Sequence, residues 1–387
     1  MPFVIMPASH SCVLLTPPGR GAIAVLAVYG PNLELALAKL FRSASHQLLN
    51  VATRQTVFYG HWISTGEDVV LVRSNVEQWE IHCHGGQAAP IAILNSLIAN
   101  GFRELSTADA TEAIHGAGWK SQIAIALTQA STVRTASILL RQYNLVDETL
   151  QRLKTELTTD PLRVVAEITD MLTAAKFGKH LATPWSVVLC GAPNVGKSSL
   201  VNALIGFNRV IVHETAGTTR DVVSQLTAVE GWPIELKDTA GLRMAENLIE
   251  ELGIALSKTE IRRADLVVVV LDAAREIMAS DLDLIRGTNA ALIVLNKTDL
   301  VGVSKLTHDH RMLSVSAIDV ISTSTRDKTG IQELIHALAN RLVPAQPTDG
   351  LLIPLNEIHI ANLHRCVELI RQNQITGATA IIDRLSG

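Results

Sequence analysis

The chain is poor in the features that mark secreted, membrane-spanning or strongly basic proteins. Its four cysteines, Cys12, Cys83, Cys190 and Cys366, are scattered with no paired spacing. That pattern fits reduced thiols in a cytoplasmic protein, not a disulfide framework. No apolar run approaches the length of a membrane span, and the opening Met-Pro-Phe-Val-Ile carries no basic region, so neither a membrane segment nor a secretory signal is expected. Charge of one sign is not in excess, at a net −4 and a pI of about 6.4. Bulk electrostatics therefore do not point to nucleic acid, and an RNA role would rest on local patches. No low-complexity tract or repeat is evident. Apolar material is abundant instead: 48% of the 387 residues are hydrophobic and mean hydropathy is +0.26, ample for two or three domains.

Residues 1–115 read as a mixed α+β domain. Cys12–Leu15, Ala22–Val28, Val69–Val72 and Trp79–His82 are strand-like, Asn32–Phe41 and about Pro90–Asn100 helical, and Thr16-Pro-Pro-Gly-Arg-Gly21 a turn. The run His82-Cys-His84 resembles a metal pair only superficially, because adjacent strand residues point to opposite faces and no second ligand pair lies nearby. Residues 116–185 turn helical, with apolar residues at three- and four-residue steps and a break at Pro161; this Leu and Val stripe is packing, without a catalytic constellation. Residues 186–342 alternate strands with helices, and 343–387 are helical again, with a helix from Ile353 to Ile370 after Pro344-Ala-Gln-Pro347. The expected fold is an α/β domain inserted in an α-helical domain, with an N-terminal α+β domain.

The chemistry concentrates in Gly191-Ala-Pro-Asn-Val-Gly-Lys-Ser198, of the form G-x-x-x-x-G-K-[ST]. An apolar strand, Ser186–Cys190, precedes it and a helical pattern follows, as a phosphate-binding loop requires. Gly191 and Gly196 permit a backbone that turns successive N–H groups of Asn194, Val195, Gly196, Lys197, Ser198 and Ser199 toward phosphate oxygens. Lys197 reaches the β- and γ-phosphates, and Ser198 ligates Mg²⁺. Further motifs follow in the order a GTPase needs. In Gly217-Thr-Thr-Arg-Asp221, Thr218 or Thr219 can meet Mg²⁺ and the γ-phosphate. In Asp238-Thr239-Ala240-Gly241 the carboxylate can hold Mg²⁺ through water and the Gly241 N–H can sense the γ-phosphate. In Asn296-Lys297-Thr-Asp299 the Asp299 carboxylate accepts from guanine N1–H and its exocyclic amine, donors that adenine lacks there. Ser324-Thr325-Arg326 closes over the base edge. Leu242 stands where many GTPases place a water-orienting Gln, so either another group does that work or hydrolysis is very slow.

Together with Thr16–Gly21 and Cys83-His-Gly-Gly86, these motifs make the chain similar to the MnmE family of bacterial and organellar tRNA-modification GTPases, to about residue 370. The resemblance implies an N-terminal folate-binding and homodimerisation domain, a helical domain interrupted by the G domain, and K⁺ held by Asn194 and the loop His213–Thr218, including Thr215. It implies that Glu250 orients the attacking water, and that a partner flavoprotein, MnmG, joins in modifying the wobble uridine of tRNA with a tetrahydrofolate one-carbon unit. Glu80 matches a folate-contact acid. Three departures stand out: Ala27 replaces a basic residue of the folate strand, the pocket's lysine region aligns poorly near His115–Lys120, and the chain ends Arg384-Leu-Ser-Gly387 instead of in Phe-Cys-Ile-Gly-Lys. These leave a second expectation, a reduced relative acting as a GTP-dependent switch without folate chemistry. A ribosome-assembly GTPase of the Era or Der kind would share the G motifs but not the Pro-Pro-Gly-Arg-Gly domain.

Overall fold

The computed structural model describes residues 9–16, 21–45, 49, 56–116, 118–207, 224–238, 259–288, 290–313 and 318–387. One sheet is built from β1 (Ser11–Leu14), β2 (Ile23–Tyr29), β3 (Phe41–Ser43), β4 (Val57–Trp62), β5 (Asp68–Arg73), β6 (Gln78–His84) and β7 (Arg103–Glu104), in the order β3-β4-β5-β6-β2-β1-β7. Neighbours are antiparallel except β1 and β7. Alternation along each strand decides what is buried. Trp79, Ile81 and Cys83 of β6 turn into a core with Leu33 and Leu37 of α1 (Leu33–Leu37) and Ile93 and Leu97 of α2 (Ala88–Ala99). Ala27 and Glu80, paired across β2 and β6, take the other face. There α3 (Thr107–His115), N-capped by the Ser106 hydroxyl, contributes Ala110 to a small apolar cluster with Val13, Ala27 and Tyr29.

A helical layer follows: α4 (Trp119–Gln129), α5 (Val133–Thr159), α6 (Pro161–Thr173) and α7 (Ala175–Lys179). The break at Pro161 has a local cause. Proline is tolerated in a first helical turn, and the Asp160 carboxylate accepts from the Arg163 N–H at 3.1 Å, capping α6.

The second sheet contains β8 (Trp185–Cys190), β9 (Ser224–Val229), β10 (Trp232–Asp238), β11 (Leu266–Asp272), β12 (Leu292–Asn296) and β13 (Asp319–Ser322), ordered β13-β12-β11-β8-β10-β9. All pairings are parallel except β9 with β10. The near-continuous apolar runs of β8, β11 and β12 reflect burial on both faces. Between or after the strands run α8 (Lys197–Phe207), α9 (Ala279–Thr288), α10 (Val303–Leu313) and α11 (Ile331–Leu342). Finally α12 (Glu357–Arg371) and α13 (Ile375–Ser386) return to the helical layer, where α12 meets α6 and α13 meets α4 and α5.

Two helix expectations need correction. The stretch 32–41 yields only the five-residue α1, because Phe41 pairs with Trp62 and starts β3. Residues 351–356 are not helical. The buried Gln142 of α5 holds this segment by donating to the Leu351 carbonyl at 2.9 Å and accepting from the Ile353 N–H at 2.8 Å.

His359 of α12 lies buried against the Trp119 ring, centroids 4.3 Å apart. Burial pushes its pKa down from 6.5 to about 4. A base whose folded pKa is depressed leaves stability intact above the unfolded value and removes it as pH falls. The protein should therefore lose about 3 kcal/mol from this group between pH 6.5 and 4. Urea unfolding across that range checks this, and His359→Asn, which keeps an acceptor for the Leu355 N–H, should flatten the profile.

Candidate nucleotide site

The site lies beyond the carboxyl ends of the parallel strands, where α/β sheets bind ligands. β8 delivers the chain to Gly191, whose φ of 153° and position against Val270 admit no side chain: a Cβ would sit 2.2 Å from the Val270 carbonyl oxygen. Gly196 is constrained likewise, with φ 97° and a would-be Cβ 2.3 Å from Asn296 Nδ2. Glycine is therefore demanded here by geometry as well as by the phosphate reading. Lys197 opens α8, with its side chain buried and Nζ donating to the carbonyls of Gly191 at 3.1 Å and Ala192 at 3.0 Å. Ser198 Oγ donates to Asp238 Oδ2 at 2.6 Å, joining the first turn of α8 to the end of β10. Ser199 is exposed beside it, and Val195 is buried beneath the loop.

The Asn296–Asp299 stretch is bonded to this loop. Asn296, fully buried, donates from Nδ2 to the Val195 carbonyl at 2.9 Å and accepts from Thr323 Oγ1 at 3.2 Å. Lys297, at φ 65°, donates to the Asn194 carbonyl at 2.6 Å and pairs with Asp272 at 2.7 Å. That pairing and the Ala274 N–H, set against the opposing effect of burial, hold the Asp272 carboxyl below its ordinary pKa. Asp299 accepts from Ser324 Oγ at 2.8 Å through one oxygen, while Arg326 lies 3.9 Å from the other. Ser324 is buried, Thr325 partly so and Arg326 exposed. The structure thus brings Asn194, Val195, Gly196, Lys197, Ser198, Asp238, Asn296, Lys297, Asp299 and Ser324 together. Asp272 and Thr323 were missed. Their only signal was position, an acid ending the apolar strand β11 and a hydroxyl just before Ser324. The expected site residues His213, Thr215, Thr218, Thr219, Thr239, Ala240, Gly241 and Glu250 lie outside the described residues.

The donor chemistry fits Mg²⁺. A serine hydroxyl and a carboxylate in contact are hard oxygen ligands of the kind this ion takes. The folate region fits less well. Glu80 is engaged by His82 Nε2 at 3.0 Å. Ala27 is fully buried and packs with Val13, Tyr29 and Ala110, so no cation stands at that strand position. The imidazoles of His82 and His84 bond to different carboxylates, Glu80 and Glu67. All four cysteines are buried, and burial pushes each thiol up to about 11.

Residues 186–297 match the family model described as "50S ribosome-binding GTPase". Over a far longer span the chain resembles curated tRNA modification GTPases MnmE. The protein of Ligilactobacillus salivarius is 31% identical over 400 residues, covering 90% of this chain and 84% of the relative. That of Enterococcus faecalis is 31% identical over 415 residues, covering 94% and 88%. Among solved structures, the FeoB G-domain from Methanococcus jannaschii is 25% identical, covers 41% of this chain and 97% of that one, and has a TM-score of 0.31. On the extent and identity of the curated matches, the chain belongs to the MnmE family of tRNA modification GTPases.

Proposed function

We propose that this protein binds GTP and GDP with Mg²⁺, hydrolyses GTP under K⁺ stimulation, and serves the modification of wobble uridine in tRNA. The observation that carries the nucleotide part is the bonding of Asn296 and Lys297 onto the Val195 and Asn194 carbonyls, which ties the stretch that contains Asp299 to the phosphate loop. Asp299 then accepts guanine's two donors, and Lys197 with the loop N–H groups takes the phosphates. Mg²⁺ bound through Ser198 and Thr219, with Asp238 behind water, would neutralise charge on the β- and γ-phosphates. K⁺ at Asn194 and the loop containing His213, Thr215 and Thr218 would add positive charge near the β–γ bridge. Leu242 supplies no polar group to the water, a task assigned to Glu250. The packing of α12 and α13 against α4, α5 and α6 supports a helical domain (116–185 with 343–387) interrupted by a G domain (186–342) and preceded by an N-terminal dimerisation domain (1–115). MnmG and tRNA are the proposed macromolecular partners.

Hydrolysis should be several-fold faster in KCl than in matched NaCl, with Asn194→Ala removing the difference. Steady-state phosphate release measures this, and equal rates in both salts remove K⁺ from the mechanism. Calorimetry showing ATP bound as tightly as GTP would remove the nucleotide assignment itself.

The closed cluster around Ala27 favours a second reading, a family member whose GTPase works without folate chemistry. An apolar strand position offers the folate glutamate no counter-ion. Titration with a tetrahydrofolate derivative should then show no saturable binding, and micromolar binding would reject this reading.

A further inference from the structure

The β9–β10 hairpin ends in a turn with unusual company. Val229 and Trp232 pair across a two-residue loop in which Glu230 has φ 49° and Gly231 φ 82°. Positive φ at both central residues is what a tight hairpin matched to strand twist requires. Helical-layer residues grip that turn. The Arg134 guanidinium of α5 lies 4.2 Å from the centroid of the Trp232 ring, and its Nη1 donates to the Glu230 carbonyl at 2.7 Å. Gly231 lacks a side chain where one would sit 3.1 Å from Arg134 Cδ. Phe177 of α7 meets Trp232 edge-on at 5.5 Å. The Glu230 carboxylate pairs with His336 of α11 at 2.9 Å. Trp232 itself is buried.

Trp232 begins β10 and Asp238 ends it. Seven extended residues make a rod of about 20 Å, hydrogen-bonded to β8 along one side and to β9 along the other. Among the described residues β9 is the outer strand of the sheet, with β10 as its only neighbour there. The hairpin is therefore held by β8, by α8 and α11 packed against it, and at its far end by what grips its turn. Close-packed interiors transmit strain, which gives a shift at Trp232 a route along the strand toward Asp238. Asp238 in turn sits 2.6 Å from Ser198 Oγ.

We propose that Arg134 is a positioning residue for the Ser198–Asp238 pair, acting along β10 from a helix outside the second sheet. Its guanidinium is suited to this, since one planar group stacks on Trp232 and donates to Glu230, which a lysine ammonium does less well. The assignment rests on the reading of Ser198 and Asp238 as the Mg²⁺ site.

The test measures dissociation of a fluorescent GDP analogue from the full chain across a Mg²⁺ titration, beside GDP affinity in EDTA. In wild type, Mg²⁺ should slow release; if it does not, the Mg²⁺ site reading fails, whatever Arg134 does. Arg134→Ala should raise the half-effective Mg²⁺ concentration about three- to tenfold, within the range for a residue that biases a distant site through packed elements. GDP affinity in EDTA should stay unchanged, and Arg134→Lys should fall between the two. A Mg²⁺ midpoint in Arg134→Ala that coincides with wild type overturns the proposal. So does a matching loss of affinity in EDTA, which would show that Arg134 supports the whole nucleotide site and not its metal pair.

Discussion

Asp299→Asn will weaken GDP and GTP binding by about a hundred- to a thousandfold, while improving the relative binding of xanthosine nucleotides. Charge-assisted hydrogen bonds are worth roughly 1.5–3 kcal/mol each, and the carboxylate is expected to accept two from guanine. An amide offers one acceptor and turns an N–H toward the base, unpairing one guanine donor. Xanthine carries a carbonyl in place of the exocyclic amine, so that same N–H gains a partner. The substitution should leave the fold intact. Ser324 Oγ, now donating to Asp299 at 2.8 Å, can still donate to the amide oxygen, and Arg326 is exposed, so losing its 3.9 Å ion pair costs little. Calorimetry with GDP, XDP and ADP is the measurement. GDP affinity within threefold of wild type would mean that Asp299 does not read the base.

Legibility followed how local the determinant is. The phosphate loop could be read directly because a strand, two glycines and a lysine within eight residues are needed together, and the geometry at Gly191 and Gly196 shows why neither glycine can be replaced. The motif of Asn296 and Asp299 is as compact, and the structure bonds Asn296 to the Val195 carbonyl and Asp299 to Ser324. Asp272 was not legible, since its partner Lys297 is 25 residues away and an acid at a strand end has many ordinary explanations. β4 escaped notice because its sequence, Val-Phe-Tyr-Gly-His-Trp, carries apolar residues on both faces; Val57 and Tyr59 are exposed while Phe58 and Trp62 are buried. The helix expected from Ile353 fails on a contact with Gln142, 211 residues earlier. Helical spacing alone cannot reveal a side chain that claims the backbone from so far away.

The same contrast separates the two halves of the proposed function. The nucleotide half rests on residues that the fold brings into mutual hydrogen bonds. The folate half rests on Glu80, whose carboxylate is bonded to His82, and on a strand position where Ala27 lies in an apolar cluster. No cysteine offers a thiolate near neutral pH, because burial raises all four thiols to about 11. Cys366 in particular is fully buried within the helical layer, its Sγ 3.9 Å from the Ala378 carbonyl.

Lys197→Met will lower the rate of GTP hydrolysis at saturating nucleotide by about a hundred- to a thousandfold, the range for removing one preorganised group from developing transition-state charge. GDP affinity should fall less than GTP affinity, because the γ-phosphate is absent from GDP and Lys197 serves both terminal phosphates. The protein should remain folded. Lys197 is 4% exposed and its ammonium bonds to the Gly191 and Ala192 carbonyls. An unbranched apolar side chain of similar length fills the space without the cost of burying a charge. Lys197→Arg should not restore the rate. A planar guanidinium is wider than an ammonium and cannot bond the two carbonyls and the phosphates from one point. Single-turnover phosphate release, beside thermal unfolding of each variant, separates chemistry from stability. A Lys197→Met protein that folds normally and hydrolyses GTP within threefold of wild type would take the phosphate-binding role away from this lysine.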